Sequence, residues 1–500
     1  MSALFVAAQG SRSRAPWDDG ETVRPIPFRH RAIKTDASAV CTSHQLTCYN
    51  GGMKKIDVNQ VLDTAGLFGL PLVVILCTTI ILILDGLDIQ IISLAAPLLA
   101  LEFRVTPASL GPELAAAIVG MAAGGFAFGA LGDRQGRRPV LLASVAIFGL
   151  STLLGVTSHS MSALAAWRFL TGIGLGGAIP NAMALLAEFT GPRWRTHAIA
   201  AAVVGVPIGG MSGAVIASHI LQDHGWRSMF VVGGLLPCAF AVLLFFALPE
   251  SPRYLATRLN RRDSLVKVLN RLVGNDRYTA VDEFDLGDLT DRSNRTRVSL
   301  LLAPPLLTET LGLWLIFFTN MFTIYTFFSW TPVILRSLGL PLAAAVHGSV
   351  TFNVAGICGG VLTAWVLNRW GSRRPLAALG ILGMGALLLI SRLLTDSAGD
   401  GPPLNQSTLM AEIAVVGFVM IGIQTAAYRL STHLYPTHIR SSGVGWAAGF
   451  GRLGGISSSL VAGWLLAQIQ GAGLFAALAG MAAATLIGAL MIRRHLAAVV

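Results

Sequence analysis

Charge is scarce in this sequence. Only 12% of its 500 residues are Asp, Glu, Lys or Arg, while 54% are hydrophobic and mean hydropathy is +0.67. Soluble domains carry about 25% charged residues, so the composition excludes a soluble enzyme and indicates a polytopic membrane protein. Lysine is rarer still, with only Lys34, Lys54, Lys55 and Lys267. None of them follows a glycine-rich run, so there is no G-x-x-x-x-G-K-[ST] phosphate loop, which argues against an ATP-driven pump. There are five cysteines, three of them in apolar runs, and no C-x-x-C, which argues against a disulfide framework or a zinc site. Nor is there an H-E-x-x-H or a nucleophile–base constellation, so no catalytic residue, metal or cofactor is expected. The first 66 residues are polar and contain no apolar run of the kind a secretory signal needs.

What the chain does have is apolar length. Apolar runs fall at 70–95, 110–131, 139–157, 163–187, 197–220, 229–248, 306–330, 343–367, 374–393, 409–430, 441–466 and 471–492. A bilayer-spanning helix needs about 20 residues, so each run is predicted to span. The expectation is an all-α membrane protein of twelve transmembrane helices in two six-helix halves, 67–248 and 306–493. A cytoplasmic tail, 1–66, precedes them, and a polar central loop, 249–305, separates them. Met53 opens Met53-Lys54-Lys55-Ile56-Asp57 just ahead of the first span and reads as the true start. Residues 1–52 are then either untranslated or a disordered tail. The central loop reads as solvated, with a few surface helices, and is too short for a receptor's output domain.

Orientation follows from the basic residues. With the N-terminus inside, only Arg104, Arg227, Arg336 and Arg392 of the 36 Lys and Arg fall in outer loops. An excess of Lys and Arg marks the cytoplasmic side, so both termini are expected in the cytoplasm of a multi-pass inner-membrane protein. This asymmetry accounts for the net charge of +11 without a nucleic-acid partner.

A repeat divides the chain. Gly129-Ala-Leu-Gly-Asp133-Arg134-Gln-Gly136-Arg137-Arg138-Pro139 follows the second span, and Asn368-Arg369-Trp370-Gly371-Ser372-Arg373-Arg374-Pro375 follows the eighth. Asp133 and Asn368 are 235 residues apart, nearly half the chain. Repetition at that distance predicts two duplicated halves around a midplane cavity, with alternating access by rocking.

These motifs carry a family resemblance over about residues 57–495. The first loop resembles the G-x-L-x-D-R-x-G-R-[RK] signature of the major facilitator superfamily. Arg168 to Gly174 is similar to its R-x-x-x-G-x-G signature in span 4, and Pro249-Glu250-Ser251-Pro252-Arg253 resembles the P-E-S-x-R run after span 6. Asp85-Gly86-Leu87-Asp88, with Tyr435 to Trp446 leading into Gly451-Arg452-Leu453-Gly454, resembles the aromatic acid:proton symporters, especially 4-hydroxybenzoate/protocatechuate transporters. The chain departs from the pattern at Asn368, where the second signature often carries Asp, which would loosen a second latch.

A charge in hydrocarbon costs at least about 2.5–3.5 kcal/mol, so intramembrane charges are functional candidates. Asp85 and Asp88, three apart, point to one helical face, and two carboxylates so close favour holding a proton. Gly86 between them weakens the helix and lets its backbone approach a ligand. Arg168 in span 4 is their counter-charge, and the resemblance implies a coupling role for it without saying which Asp it meets. Arg452, near the middle of span 11, offers a planar fork that matches a carboxylate. Gln424, Asn181, Asn353, Asn320, Tyr325 and Trp446 are candidates for lining the cavity, with ordinary helix packing as the alternative. Asp133, Arg134, Gly136, Arg137, Glu188 and Arg440 form the candidate cytoplasmic gate. The resemblance implies that Asp133 faces the start of span 11, where Arg440 lies, and that these contacts hold the outward-open state. Glu188, 20 residues past Arg168 and roughly 30 Å along a helix, belongs to that gate rather than to the central site.

The expected activity is proton-coupled uptake of an aromatic carboxylate across the inner membrane by a monomer whose partners are that acid, protons and the bilayer. The alternatives are uptake of another organic anion and drug/proton antiport. Against the antiporter, span 5 reads Gly205-Val206-Pro207, without the adjacent Gly-Pro pair of that class.

Overall fold

The computed structural model describes residues 55–63, 66–274, 278–279, 282–285, 298–304, 306–337, 339–397, 405–436 and 439–496. The question of the true start, at Met1 or Met53, lies outside the described residues.

Helices dominate. Short elements lead in: strand β1 (Lys55–Asp57) and helix α1 (Val58–Asp63). The first half follows as α2 (Leu70–Phe103), α3 (Gly111–Gln135), α4 (Arg137–Leu154), α5 (Met161–Phe189), α6 (Pro192–Val203) and α7 (Gly205–Ala247). The connection holds α8 (Pro252–Ala256), α9 (Arg262–Val273) and β2 (Glu283–Asp285). The second half is α10 (Leu307–Ser337), α11 (Leu342–Trp370), α12 (Arg373–Asp396), α13 (Gln406–Leu434) and α14 (Arg440–Met491).

Ten helices among the described residues are long and apolar enough to span a membrane. Two of them run through a break, Gly225 with φ +71° in α7 and Gln470 with φ +56° in α14. Each break turns one long helix into two spanning segments, which matches the twelve apolar runs. Helix α2 continues to Phe103, well past the apolar run ending at 95. Its last turn is anchored by Glu102, which accepts from Trp226 Nε1 at 2.6 Å and pairs with Arg227 at 2.8 Å.

Within the halves, α2 packs on α7, α3 on α5, α11 on α13 and α10 on α14. Small residues permit this approach. A Cβ at Gly172 or Gly176 would strike the Ala117 or Met121 carbonyl on α3, so the glycines of span 4 serve helix packing as expected. Gly86 behaves the same way. Its neighbour is the Val206 carbonyl of α7, so the space it frees admits a packed helix and not a ligand. Between the halves, α2 meets α10, α3 meets α14 and α7 meets α11.

The described residues also hold a small sheet. β1 pairs in parallel with β2, in the register Ile56↔Phe284. A small apolar cluster of Ile56, Val58, Leu62, Leu255, Leu265 and Leu269 holds this ribbon to α9. Part of the central connection is thus ordered on a small core of its own.

Candidate functional site

Charge meets charge at the middle of the helices. Arg168 of α5 donates from Nη1 to Asp88 Oδ1 at 2.7 Å and from Nη2 to Oδ2 at 2.8 Å, with both side chains 2% exposed. The fork-on-fork geometry satisfies both carboxylate oxygens and neutralises both charges. Asp88 is therefore the partner of Arg168, a point the sequence leaves open.

Asp85, one turn earlier on α2, is equally buried but has no ion pair among the described residues. Its Oδ1 is buried without a hydrogen-bond partner. Two charges act on it: Asp88 repels it and Arg452 of α14 attracts it. Arg452 likewise has no ion pair among the described residues. Its guanidinium extends to Gly125 of α3, with Nη1 3.3 Å from where a Cβ would stand, so only glycine leaves it full room. Asp85 and Arg452 come from opposite halves, and Asp85 lies within the field of the Arg452 charge.

Around them stand aromatic and amide groups. The Tyr325 hydroxyl lies within the fields of Asp85, Arg452 and Tyr428. The Tyr428 hydroxyl lies beside Gln424 and Arg452, and its ring meets Phe317 edge-on at 5.0 Å. Gln424 Oε1 accepts from Asn320 Nδ2 at 2.8 Å, which leaves Gln424 Nε2 and Asn320 Oδ1 as buried polar atoms without partners. The group therefore offers one unpaired cation, one unpaired carboxylate, two phenols and spare amide hydrogen-bonding capacity. That set suits a small planar acid bearing polar ring substituents.

Other sequence candidates fall elsewhere. Asn181 Nδ2 donates to the carbonyls of Phe128 (3.1 Å) and Gly177 (2.8 Å), so its amide joins α5 to α3 and stays out of the central group. Asn353 packs against Gly210 of α7 and donates to the Ser349 carbonyl at 2.8 Å, in the interface between the halves. Trp446 lies on an exposed stripe with Leu453 and Leu460, at seven-residue spacing, and contacts Trp314 rather than the charged group. Tyr428 is the central residue that sequence reasoning missed. The available signal was its position four residues after Gln424, on the same helical face.

At the end bearing the repeated loops, Arg137 binds Glu188 at 2.8 Å and lies 3.5 Å from Asp133, which is exposed. Glu188 also accepts from Ser251. Gly136, with φ +107°, makes the turn between α3 and α4, and Gly371, with φ +70°, repeats it between α11 and α12. Such backbone favours glycine. Glu250 accepts from the backbone amides of Arg137 (3.0 Å) and Arg138 (3.1 Å), capping the start of α4. Arg134 is exposed, and its carbonyl accepts from Arg258. Arg440 Nε donates to the Tyr435 carbonyl within its own half. Asn368 accepts from Arg429, which also donates to the Ala364 carbonyl at 3.0 Å.

Among the bonds described, Asp133 pairs with Arg137 and Arg440 with the Tyr435 carbonyl, each within its own half. Hydrogen bonds joining the halves gather at the opposite end: Gln90 Nε2 donates to Ser349 Oγ at 3.0 Å, and Ser93 Oγ donates to the Phe328 carbonyl.

Comparison with known proteins agrees with this architecture. The gallate transporter of Pseudomonas putida is 32% identical over 88% of this chain and 95% of its own length. The 4-hydroxybenzoate transporter PcaK of Pseudomonas aeruginosa is 32% identical over 84% of this chain and 91% of its own. The benzoate transport protein of Acinetobacter baylyi is 28% identical over 83% and 87%. Among solved structures, the inward-open xylose transporter XylE of E. coli superposes with a TM-score of 0.67 at 18% identity, covering 85% of this chain and 96% of that one. Residues 78–401 match the family model described as Major Facilitator Superfamily. Transporters, not enzymes, make up this set, and the chain belongs to the Major Facilitator Superfamily.

Proposed function

We propose that this protein carries an aromatic carboxylate of the 4-hydroxybenzoate or protocatechuate type into the cell together with protons. The observation that carries the reading is the unpaired Arg452 whose charge acts on the unpaired Asp85 from the opposite half, ringed by Tyr325, Tyr428 and Gln424. The names of the relatives support the substrate class. In this reading the acid's carboxylate docks on the Arg452 fork. Asp85 then loses the cation that attracts it and takes a proton, so substrate and proton load together. The Asp88–Arg168 pair holds α2 against α5 and keeps its two charges neutral while this happens. Tyr325 and Tyr428 border the ring, and Gln424 Nε2 and Asn320 Oδ1 serve its hydroxyls.

Coupling has a physical reason. An inside-negative potential opposes entry of an anion by about 2.3 kcal/mol per charge per 100 mV. One accompanying proton cancels that term, and further protons drive accumulation. With the loop-bearing ends in the cytoplasm, as the basic residues favour, the halves meet on the outer side and the structure represents the inward-facing state. The transporter then acts as a monomer in the inner membrane.

The test is uptake of labelled 4-hydroxybenzoate into proteoliposomes under an inward proton gradient, with and without a protonophore and with Asp85→Asn. Accumulation that needs both the gradient and Asp85 is the expected result. Uptake that ignores the gradient refutes symport, and no uptake across a panel of benzoates, phenylpropionates and aliphatic acids refutes the substrate class.

A further inference from the structure

A cavity of about 500 Å³ lies far from the central group, at the loop-bearing end of the first half. It is enclosed by the start of α4, the last turns of α7, and α9 with the turn before it. Its character is mixed: Arg138, Arg261 and Lys267 line it together with Leu142, Phe245 and Val268. Phe245 belongs to an exposed apolar stretch of α7 with Val242, Leu243 and Phe246, so the apolar lining continues onto the surface that faces lipid.

The cavity is net positive, with Arg138, Arg261 and Lys267 against Glu250. The Oε1 of Glu250 is committed to the backbone amides of Arg137, Arg138 and Ser251. Arg138 lies over the Phe245 ring at 5.5 Å, donates from Nη2 to the Phe245 carbonyl at 2.5 Å and keeps its Nε buried without a partner. Arg261 and Lys267 are exposed and have no ion pair among the described residues. Three cations against the one carboxylate of Glu250, beside an apolar surface opening toward hydrocarbon, match a phosphate group attached to acyl chains.

We propose that this cavity is a binding site for an anionic phospholipid, with the headgroup phosphate among Arg138, Arg261 and Lys267 and an acyl chain along Leu142 and Phe245. The apolar surface decides for lipid over a soluble phosphate, which would leave it uncovered. Occupancy would tie α9 and the central connection to the bilayer surface beside the α3–α4 turn. The site rests only on the chain spanning a membrane and is independent of the central substrate.

The test uses the full chain, purified and delipidated in detergent, with native mass spectrometry to count retained lipid. Phosphatidylglycerol, phosphatidylcholine and soluble glycerol phosphate are the probes. The wild type is expected to retain one phosphatidylglycerol in preference to phosphatidylcholine and to gain nothing from glycerol phosphate. Arg261→Ala with Lys267→Ala should weaken phosphatidylglycerol roughly 30-fold, about fivefold per cation. Both side chains are exposed, so the fold should persist, with an unchanged circular dichroism spectrum as the check. Equal retention by this double variant, equal retention of phosphatidylcholine, or binding of glycerol phosphate as tight as that of the lipid would each overturn the proposal. If the double variant fails to fold, Lys267→Glu alone provides the decisive comparison: weaker phosphatidylglycerol retention supports the site, and unchanged retention refutes it.

Discussion

Asp85 and Asp88 share a helical face and are both buried, yet their substitution should give opposite results. Asp88→Asn leaves Arg168 charged, 2% exposed and without its counter-ion. Removing one partner of a buried ion pair costs about 3–5 kcal/mol. At 1.4 kcal/mol per tenfold, the folded-to-unfolded ratio should drop by roughly two to three and a half orders of magnitude. Asp85→Asn removes a carboxylate that has no ion pair and a buried Oδ1 that accepts no hydrogen bond. It loses the attraction of Arg452 but also relieves the repulsion of Asp88. Its stability should stay within about 1 kcal/mol of the parent, the scale of one polar contact. Joint replacement by Asp88→Leu and Arg168→Met removes both charges, and apolar replacement of a buried pair is often neutral or stabilising. That double variant should recover the fold lost in Asp88→Asn but not uptake. The assay is helicity by circular dichroism as SDS is titrated into mixed micelles. The reasoning fails if Asp85→Asn is as destabilised as Asp88→Asn, or if the double variant is no more stable than Asp88→Asn alone.

Three further outcomes are expected. Arg452→Lys keeps the charge but loses the planar fork; if one of two charge-assisted bonds is lost, at about 1.5–3 kcal/mol, uptake should need roughly 10- to 100-fold more substrate, and an unchanged KM would remove Arg452 from the substrate's path. Gly86→Ala drives a methyl group into the Val206 carbonyl and should cost about 1–3 kcal/mol through overpacking, with Gly445→Ala, which has open space around it, as the near-neutral control in the same SDS titration. Gln90→Ala removes one hydrogen bond that joins the halves, about 0.5–1.5 kcal/mol, so a Phe328→Cys reporter on that side should be alkylated roughly 2- to 10-fold faster in the Gln90→Ala background than in the parent; an unchanged rate would mean that the contact does not hold that end closed.

The sequence by itself determined the solvent and the scaffold. Apolar runs of spanning length, the asymmetry of Arg and Lys, and two loops 235 residues apart specify helices in lipid, because a backbone in hydrocarbon must satisfy its own hydrogen bonds. The buried charges Asp85, Asp88, Arg168 and Arg452 were legible for the same reason, since a charge in the middle of a span is too costly to be incidental. The tertiary structure decided who partners whom. Asp85 and Asp88 are alike in burial and spacing, and only the placement of α5 gives Arg168 to Asp88, leaving Asp85 in the field of Arg452 from the other half. Asn181 and Trp446 look like cavity residues by depth, but depth is one coordinate and the facing direction is another, fixed only when neighbouring helices pack. Tyr428 enters the site, and Gly86 serves packing, for that same reason. The candidate gate residues could be named from the sequence as a set, but their bonds, Arg137 to Glu188 and Glu250 to the first amides of α4, depend on how the helices pack.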